Sequence, residues 1–114
     1  MDSIETILLE LKKFRDDRDW LQFHDSKNLA LALSIEASEL NELFLWKNSI
    51  KEIENVDKEK LSDELADVLS FAFLLADKNN LNIEEIIKNK MIKNNKKYPI
   101  NKSKGSSKKY NELD

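Results

Sequence analysis

Four acidic residues stand in two pairs of equal spacing, Glu36-x-x-Glu39 and Glu64-x-x-Asp67, with 24 residues between Glu39 and Glu64. On a helix that turns about 100° per residue, an i, i+3 pair shares one face. With Glu36 as zero, Leu29, Leu33, Leu40 and Leu43 fall within about 60° of it, and Glu39 lies about 60° to one side. With Glu64 as zero, Leu61, Val68, Phe71 and Leu75 fall within about 60°, and Asp67 again about 60° away. Carboxylates therefore sit in the apolar stripes of two segments. A buried carboxylate without a partner is strongly unfavourable, so acids in such positions call for a cation. Facing one another, Glu36, Glu39, Glu64 and Asp67 would form an all-oxygen cage, and hard oxygen donors favour Mg²⁺, with Mn²⁺ as a substitute, over zinc or iron. A carboxylate beside such an ion can orient or deprotonate a water molecule. The opposing reading makes these acids surface charges paired with lysine or solvent, since E-x-x-E is common on helices. Their inward placement argues against it.

The composition narrows the chemistry further. There is no cysteine and only one histidine, His24, which excludes thiolate zinc sites, cysteine nucleophiles and multi-histidine metal centres. Oxidative di-iron bundles need Glu-x-x-His pairs on facing helices, which this chain lacks. One glycine and one proline leave almost none of the turn chemistry of a many-stranded sheet or a phosphate-cradling glycine loop, so an all-α fold is expected. At 114 residues the chain can bury a single core. A mean hydropathy of -0.61 and the lack of a long apolar run point to no membrane association. The start, Met1-Asp2-Ser3-Ile4-Glu5, has neither the basic opening nor the apolar stretch of a secretory signal, so a cytoplasmic location is expected.

Four helices are expected to carry these residues. The first spans about Ser3 to Arg18, with Ile4, Ile7, Leu8, Leu11 and Phe14 at helical spacing and Asp2 with Glu5 as a capping box. The second runs from about Lys27 to Trp46, the third from about Lys58 to Lys78, and the fourth from an Asn82 cap to about Lys97, before Tyr98-Pro99. Between the first two lies Asp19 to Ser26, without helical period yet holding Trp20, Phe23 and His24. Residues 1–99 are read as one domain and 100–114 as a flexible basic tail. Nine of the 19 Lys and Arg residues fall between Lys88 and Lys109, where no acid occurs. That basic arm suggests a solvated face, a nucleic-acid tail or a phosphate clamp. The net charge of -3 argues against nucleic acid.

The chain resembles the MazG-like all-α nucleoside triphosphate pyrophosphohydrolases, most closely their dCTP pyrophosphatase branch. The resemblance rests on Phe14-Arg15-Asp16-Asp17-Arg18-Asp19-Trp20-Leu21-Gln22-Phe23-His24, on Asn28 to Leu40, on Phe44-Leu45-Trp46-Lys47, on Asp63 to Val68 and on Lys97-Tyr98-Pro99. It implies a four-helix MazG-like bundle that hydrolyses a deoxynucleoside triphosphate, dCTP or a 5-modified dCTP, to monophosphate and pyrophosphate with Mg²⁺. Glu36, Glu39, Glu64 and Asp67 would hold the metal, and by the same resemblance Glu36 and Glu39 are equal candidates for the base that activates the attacking water. By the same resemblance, Trp20, Leu21, Gln22, Phe23 and His24, with Trp46, would line the base and sugar pocket, and Lys97 and Tyr98 would meet the triphosphate. Relatives often carry a histidine where this chain has Leu11, and a nucleotide-contacting tyrosine where it has Phe71; Phe71 keeps a stacking surface without the hydroxyl. The resemblance also implies a homo-oligomer, a tetramer built as a dimer of dimers. The alternatives are a non-catalytic nucleic-acid-binding protein using the Lys-rich arm, and a helical interaction module whose acids are surface charges.

Overall fold

The computed structural model describes residues 2–114, and among them the chain is helical with no strand. Six α-helices occur: α1 (Ser3–Asp17), α2 (Ser26–Glu42), α3 (Ile50–Glu54), α4 (Lys58–Lys78), α5 (Ile83–Lys97) and α6 (Ile100–Ser103). The four expected helices are α1, α2, α4 and α5, and the short α3 and α6 are additions. Two 3₁₀ turns, Leu21–Phe23 and Tyr110–Glu112, complete the regular structure. The second helix stops at Glu42 and not at Trp46. Leu43 to Trp46 leave it through turns, and Trp46 adopts a left-handed φ of 65°, which no helix accommodates. The stretch read as a flexible basic tail, 100–114, contains α6 and the second 3₁₀ turn.

Each long helix starts where a side chain can take up the free backbone N–H groups of its first turn. Asp2 accepts from the Glu5 amide at 2.8 Å while Glu5 accepts from the Asp2 amide at 3.3 Å, the expected capping box. Asp25 accepts from the Asn28 amide at 2.7 Å, Asp57 caps α4, and Asn82 accepts from the Glu85 amide at 3.0 Å. The Asp25 cap matters for function because it fixes the entry of α2 directly after the aromatic loop. Asp25→Ala is expected to lower stability by about 1 kcal/mol, read from urea unfolding monitored by circular dichroism.

The chain divides into two compact units, one ending at Asn80 and the other comprising Leu81–Asp114. In the first unit the dominant packing is α2 against α4, with α1 also on α4. The Asn79 side-chain amide donates to Ser26 Oγ at 3.2 Å, which places the end of α4 beside the start of α2, so the two helices run antiparallel. Glu36 is ten residues into α2, about 15 Å from this tie, and Asp67 is twelve residues back along α4, about 18 Å from it. The acids of the two helices are thereby brought level. Lys12 Nζ pairs with Asp77 Oδ1 at 3.3 Å and fixes α1 to α4. Leu29, from the Glu36 stripe, is only 2% exposed, and Val56, Leu74 and Ala76 are buried with it. Leu31 and Ile35 on α2 and Leu65 and Leu69 on α4, pointing away from the acids, are exposed in the single chain. In the second unit Ile83 is buried, and Tyr98 and Tyr110 pack edge to face with ring centres 6.4 Å apart. No helix among the described residues is long and apolar enough to cross a membrane.

Candidate functional site

Antiparallel packing of α2 on α4 brings Glu36, Glu64 and Asp67 together, with one carboxylate oxygen from each lying within 4.8 Å of the others. Glu36 Oε2 and Glu64 Oε2 are shielded from solvent and have no hydrogen-bond partner. Two acceptor atoms covered and left without a donor are a costly arrangement in a protein alone. Burial pushes the Glu36 carboxyl up to about 7, and the neighbouring carboxyls of Glu39, Asp67 and Glu64 add to the shift. Glu64 is raised as well, first by burial and then by Glu39 and Asp67. A divalent cation would reverse both penalties, and an all-carboxylate donor set suits a hard ion. On the unpartnered oxygens and the donor chemistry, the residues fit such an ion.

Glu39 is placed differently from its three companions. Like Asp67 it is exposed, but it lies outside the tight group, although its charge acts on both Glu36 and Glu64. Of the two candidates for the water-activating base, Glu36 borders the cavity described next.

Beside the acids is a cavity of about 390 Å³ whose walls come from α1, the aromatic loop, α2 and α4. Glu36 and Asp67 stand at one part of it, and Trp20, His24 and Phe71 supply aromatic wall. The His24 and Phe71 rings meet edge to face at 6.5 Å, and Trp20 packs edge to face on Phe14 at 5.8 Å. Flat apolar walls next to a carboxylate cluster suit a ligand with an aromatic ring at one end and anionic oxygens, bridged by a cation, at the other. The His24 side chain is held below its ordinary value, chiefly by burial and secondarily by the Arg15 charge, so its ring is neutral at pH 7. Its Nδ1 is shielded and has no partner.

The loop that carries these rings is ordered by its own backbone. The Arg18 and Trp20 amides both donate to the Arg15 carbonyl, at 3.2 and 3.1 Å, and Asp19 takes a left-handed φ of 54° to make the turn. The Gln22 side chain donates to the Asp19 carbonyl at 2.9 Å and to Asp19 Oδ2 at 3.1 Å, so it braces the loop and does not line the cavity. Leu21 and Phe23 are exposed and also outside the cavity, and the Phe23 carbonyl accepts from the Asn28 side chain at 3.0 Å. Trp46 is 82% exposed and away from the cavity of its own chain. Lys97 and Tyr98 belong to the second unit, where Lys97 Nζ sits 4.8 Å from the Tyr110 ring centre.

Leu11 lines the cavity, as do four residues that sequence reasoning did not assign to a pocket: Phe14, Arg15, Ser70 and Leu74. Phe14 and Arg15 precede the aromatic loop by one helical turn, and Ser70 follows Asp67 at i+3, so helical spacing from residues already chosen could have found them.

Comparison with known proteins agrees with this geometry. A family model described as the MazG-like family matches residues 31–113. Over 115 aligned residues, covering 97% of this chain and 68% of the relative, the chain is 37% identical to dCTP pyrophosphatase 1 of Mus musculus. The Homo sapiens protein of the same name is also 37% identical over the same shares. Among solved structures, a pyrophosphatase from Archaeoglobus fulgidus superposes with a TM-score of 0.83 at 42% identity, over 87% of this chain and 94% of that one.

Proposed function

This chain belongs to the MazG-like family, and from that premise we propose that it is a Mg²⁺-dependent pyrophosphohydrolase of deoxynucleoside triphosphates, acting on dCTP or a 5-modified dCTP to release the monophosphate and pyrophosphate. The observation that carries the reading is the pair of shielded, unpartnered carboxylate oxygens on Glu36 and Glu64 beside an aromatic-walled cavity. The similarity to dCTP pyrophosphatases supports the choice of nucleotide, and the all-oxygen donors support the choice of ion. When bound, Mg²⁺ offsets charge developing on the phosphate oxygens and makes a coordinated water easier to deprotonate.

The protein's own groups divide the work. Glu36, Glu64 and Asp67 hold the metal end, with Glu39 completing the acidic set from its exposed position. Glu36, at the cavity wall, and Glu39 are the two groups that can accept the proton of the attacking water. Trp20 and Phe71 offer ring faces to the base, and the neutral His24 can hydrogen-bond its edge. Phe71 stacks but donates no hydrogen bond, and Leu11 adds an apolar wall, so recognition of base and sugar rests on the other polar groups of the cavity. Hydrolysis at the anhydride suits removal of unwanted nucleotides from the pool.

We place the active form as a homo-oligomer, a tetramer built as a dimer of dimers. The exposed apolar residues Leu31, Ile35, Leu65 and Leu69 supply a face to cover, and Trp46, with Lys97 and Tyr98, would complete the pocket of a neighbouring copy. The test is incubation of the purified protein with dCTP, dTTP, dATP, dGTP and CTP, with and without Mg²⁺, with products resolved by ion exchange. Mg²⁺-dependent formation of dCMP and pyrophosphate is expected, with dCTP the preferred substrate. Absence of cleavage of any nucleotide by folded protein would overturn the proposal.

A further inference from the structure

The Arg15 guanidinium is the one cationic side chain on the wall of the cavity that holds Trp20, His24 and Phe71. Its side chain is only 11% exposed, which is unusual for arginine and means that most of the group faces protein or the cavity. The Nε donates to Asp16 Oδ1 at 2.8 Å, and among the described residues the two terminal amino groups have no protein acceptor. Four N–H donors are thus left for something else. The Arg15 carbonyl accepts from the Trp20 amide at 3.1 Å, which ties position 15 to the aromatic loop that brings Trp20 and His24 to the same cavity, and the charge of Arg15 also acts on His24. Arg15 therefore belongs to the end of the cavity that takes a ring. Shielded His24 Nδ1, also without a partner, is a second polar atom at that end.

A planar guanidinium meets two adjacent acceptors well and repels a donor. Cytosine presents two adjacent acceptors, N3 and O2, next to its amino group. Uracil presents an N–H at position 3 and so loses one acceptor and gains a clash. We infer that Arg15 is a specificity-determining residue whose terminal amino groups donate to the N3/O2 edge of a cytosine base held between the aromatic walls. This rests on the nucleotide reading of the cavity given above. Position 15 lies on the last turns of α1, outside the carboxylate cluster, so base choice and metal binding are carried by separate elements.

The experiment measures equilibrium binding of dCMP and dUMP, which differ only at ring positions 3 and 4, by quenching of tryptophan fluorescence. It uses the wild type, Arg15→Ala, Arg15→Lys and the control Asp16→Asn, each first shown to be helical by circular dichroism. The wild type should prefer dCMP. Arg15→Ala should weaken dCMP roughly ten- to a hundredfold and dUMP much less, and Arg15→Lys, with a single point donor, should fall between. Asp16→Asn removes the negative charge beside Nε, leaves an amide oxygen as its acceptor and keeps the guanidinium, and should retain the preference. In parallel, kcat and KM for dCTP and dUTP should show the loss in Arg15→Ala as a raised KM for dCTP. An unchanged dCMP to dUMP ratio in Arg15→Ala overturns the inference, as does an equal loss for both nucleotides, which would mean contact with phosphate or sugar. If the wild type cleaves nothing yet shows an Arg15-dependent preference for dCMP, the hydrolase reading falls and the inference stands. If cleavage proceeds with selectivity independent of Arg15, the reverse holds. A wild type that binds neither monophosphate overturns the inference.

Discussion

Replacing Glu36 or Glu64 with alanine is expected to reduce pyrophosphohydrolysis on the order of a thousandfold or more, because each removes a donor from a three-carboxylate cluster that leaves little redundancy. The fold should survive. In the metal-free protein these carboxylates carry an unfavourable burden of burial and mutual repulsion, so losing one relieves it, and the melting temperature without metal should stay level or rise. Glu36→Gln and Glu64→Gln keep the shape and should behave alike in both respects. Titration calorimetry with Mg²⁺ should show binding lost in the same variants. A Glu64→Ala protein with near-normal turnover would remove this cluster from the mechanism.

The second large effect is stabilisation by Mg²⁺, and it should depend on pH with a defined sign. Binding to the native state alone contributes roughly 2.7 kcal/mol when the free ion is at a hundred times its dissociation constant. The folded metal-free protein holds a proton on Glu36 up to about 7, against 4.5 for the unperturbed group. Between those values the unfolded chain binds fewer protons than the folded one. The contribution of Glu36 is therefore fully present below 4.5 and is lost as pH rises through about 7. His24 works in the opposite sense, since its lowered value adds stability as pH rises through its ordinary 6.5. Comparing melts of the wild type with those of Glu36→Gln isolates the Glu36 part. In the metal-free state the wild type should lose ground to the variant from pH 5 to pH 8. With Mg²⁺ the wild type should gain it back, most at pH 8, where no proton need be displaced. A Mg²⁺ effect that is constant across this range would contradict the role given to Glu36.

The positions of the long helices were legible because two signals agreed. Apolar residues recur at helical spacing, and the caps Asp2 and Asn82 stand where the period begins. The acid pairs were legible for a related reason: a charge in the middle of an apolar stripe is a conflict that only a partner resolves. The end of α2 was not legible. Leu43 to Trp46 continue the apolar run without glycine or proline, yet the chain leaves the helix after Glu42 through turns that end at Trp46 in a left-handed conformation, which these residue types do not announce. The one-turn α3 was missed although Ser49 and Glu52 form a capping box visible in the sequence, because a single turn leaves no period to detect. Glu39 and Asp67 have the same angular offset from their stripes, yet only Asp67 turns into the cluster. Which side of a stripe faces the partner helix depends on the packing of α2 on α4, and one helix read alone does not contain it. Arg15 escaped notice because it sits in the run Arg15-Asp16-Asp17-Arg18, where any one charge reads as surface.

The Arg15 carbonyl receives the Arg18 and Trp20 amides, while the side chain of the same residue turns to the cavity. The main chain at this position sets the course of the loop, and that function is indifferent to which L-residue supplies the carbonyl. What projects into the cavity can therefore be exchanged without moving Trp20 or His24. Position 15 behaves as an interchangeable fitting on a fixed mount, and substrate range in such a protein can drift by single substitutions there while the hydrolytic machinery on α2 and α4 stays as it is.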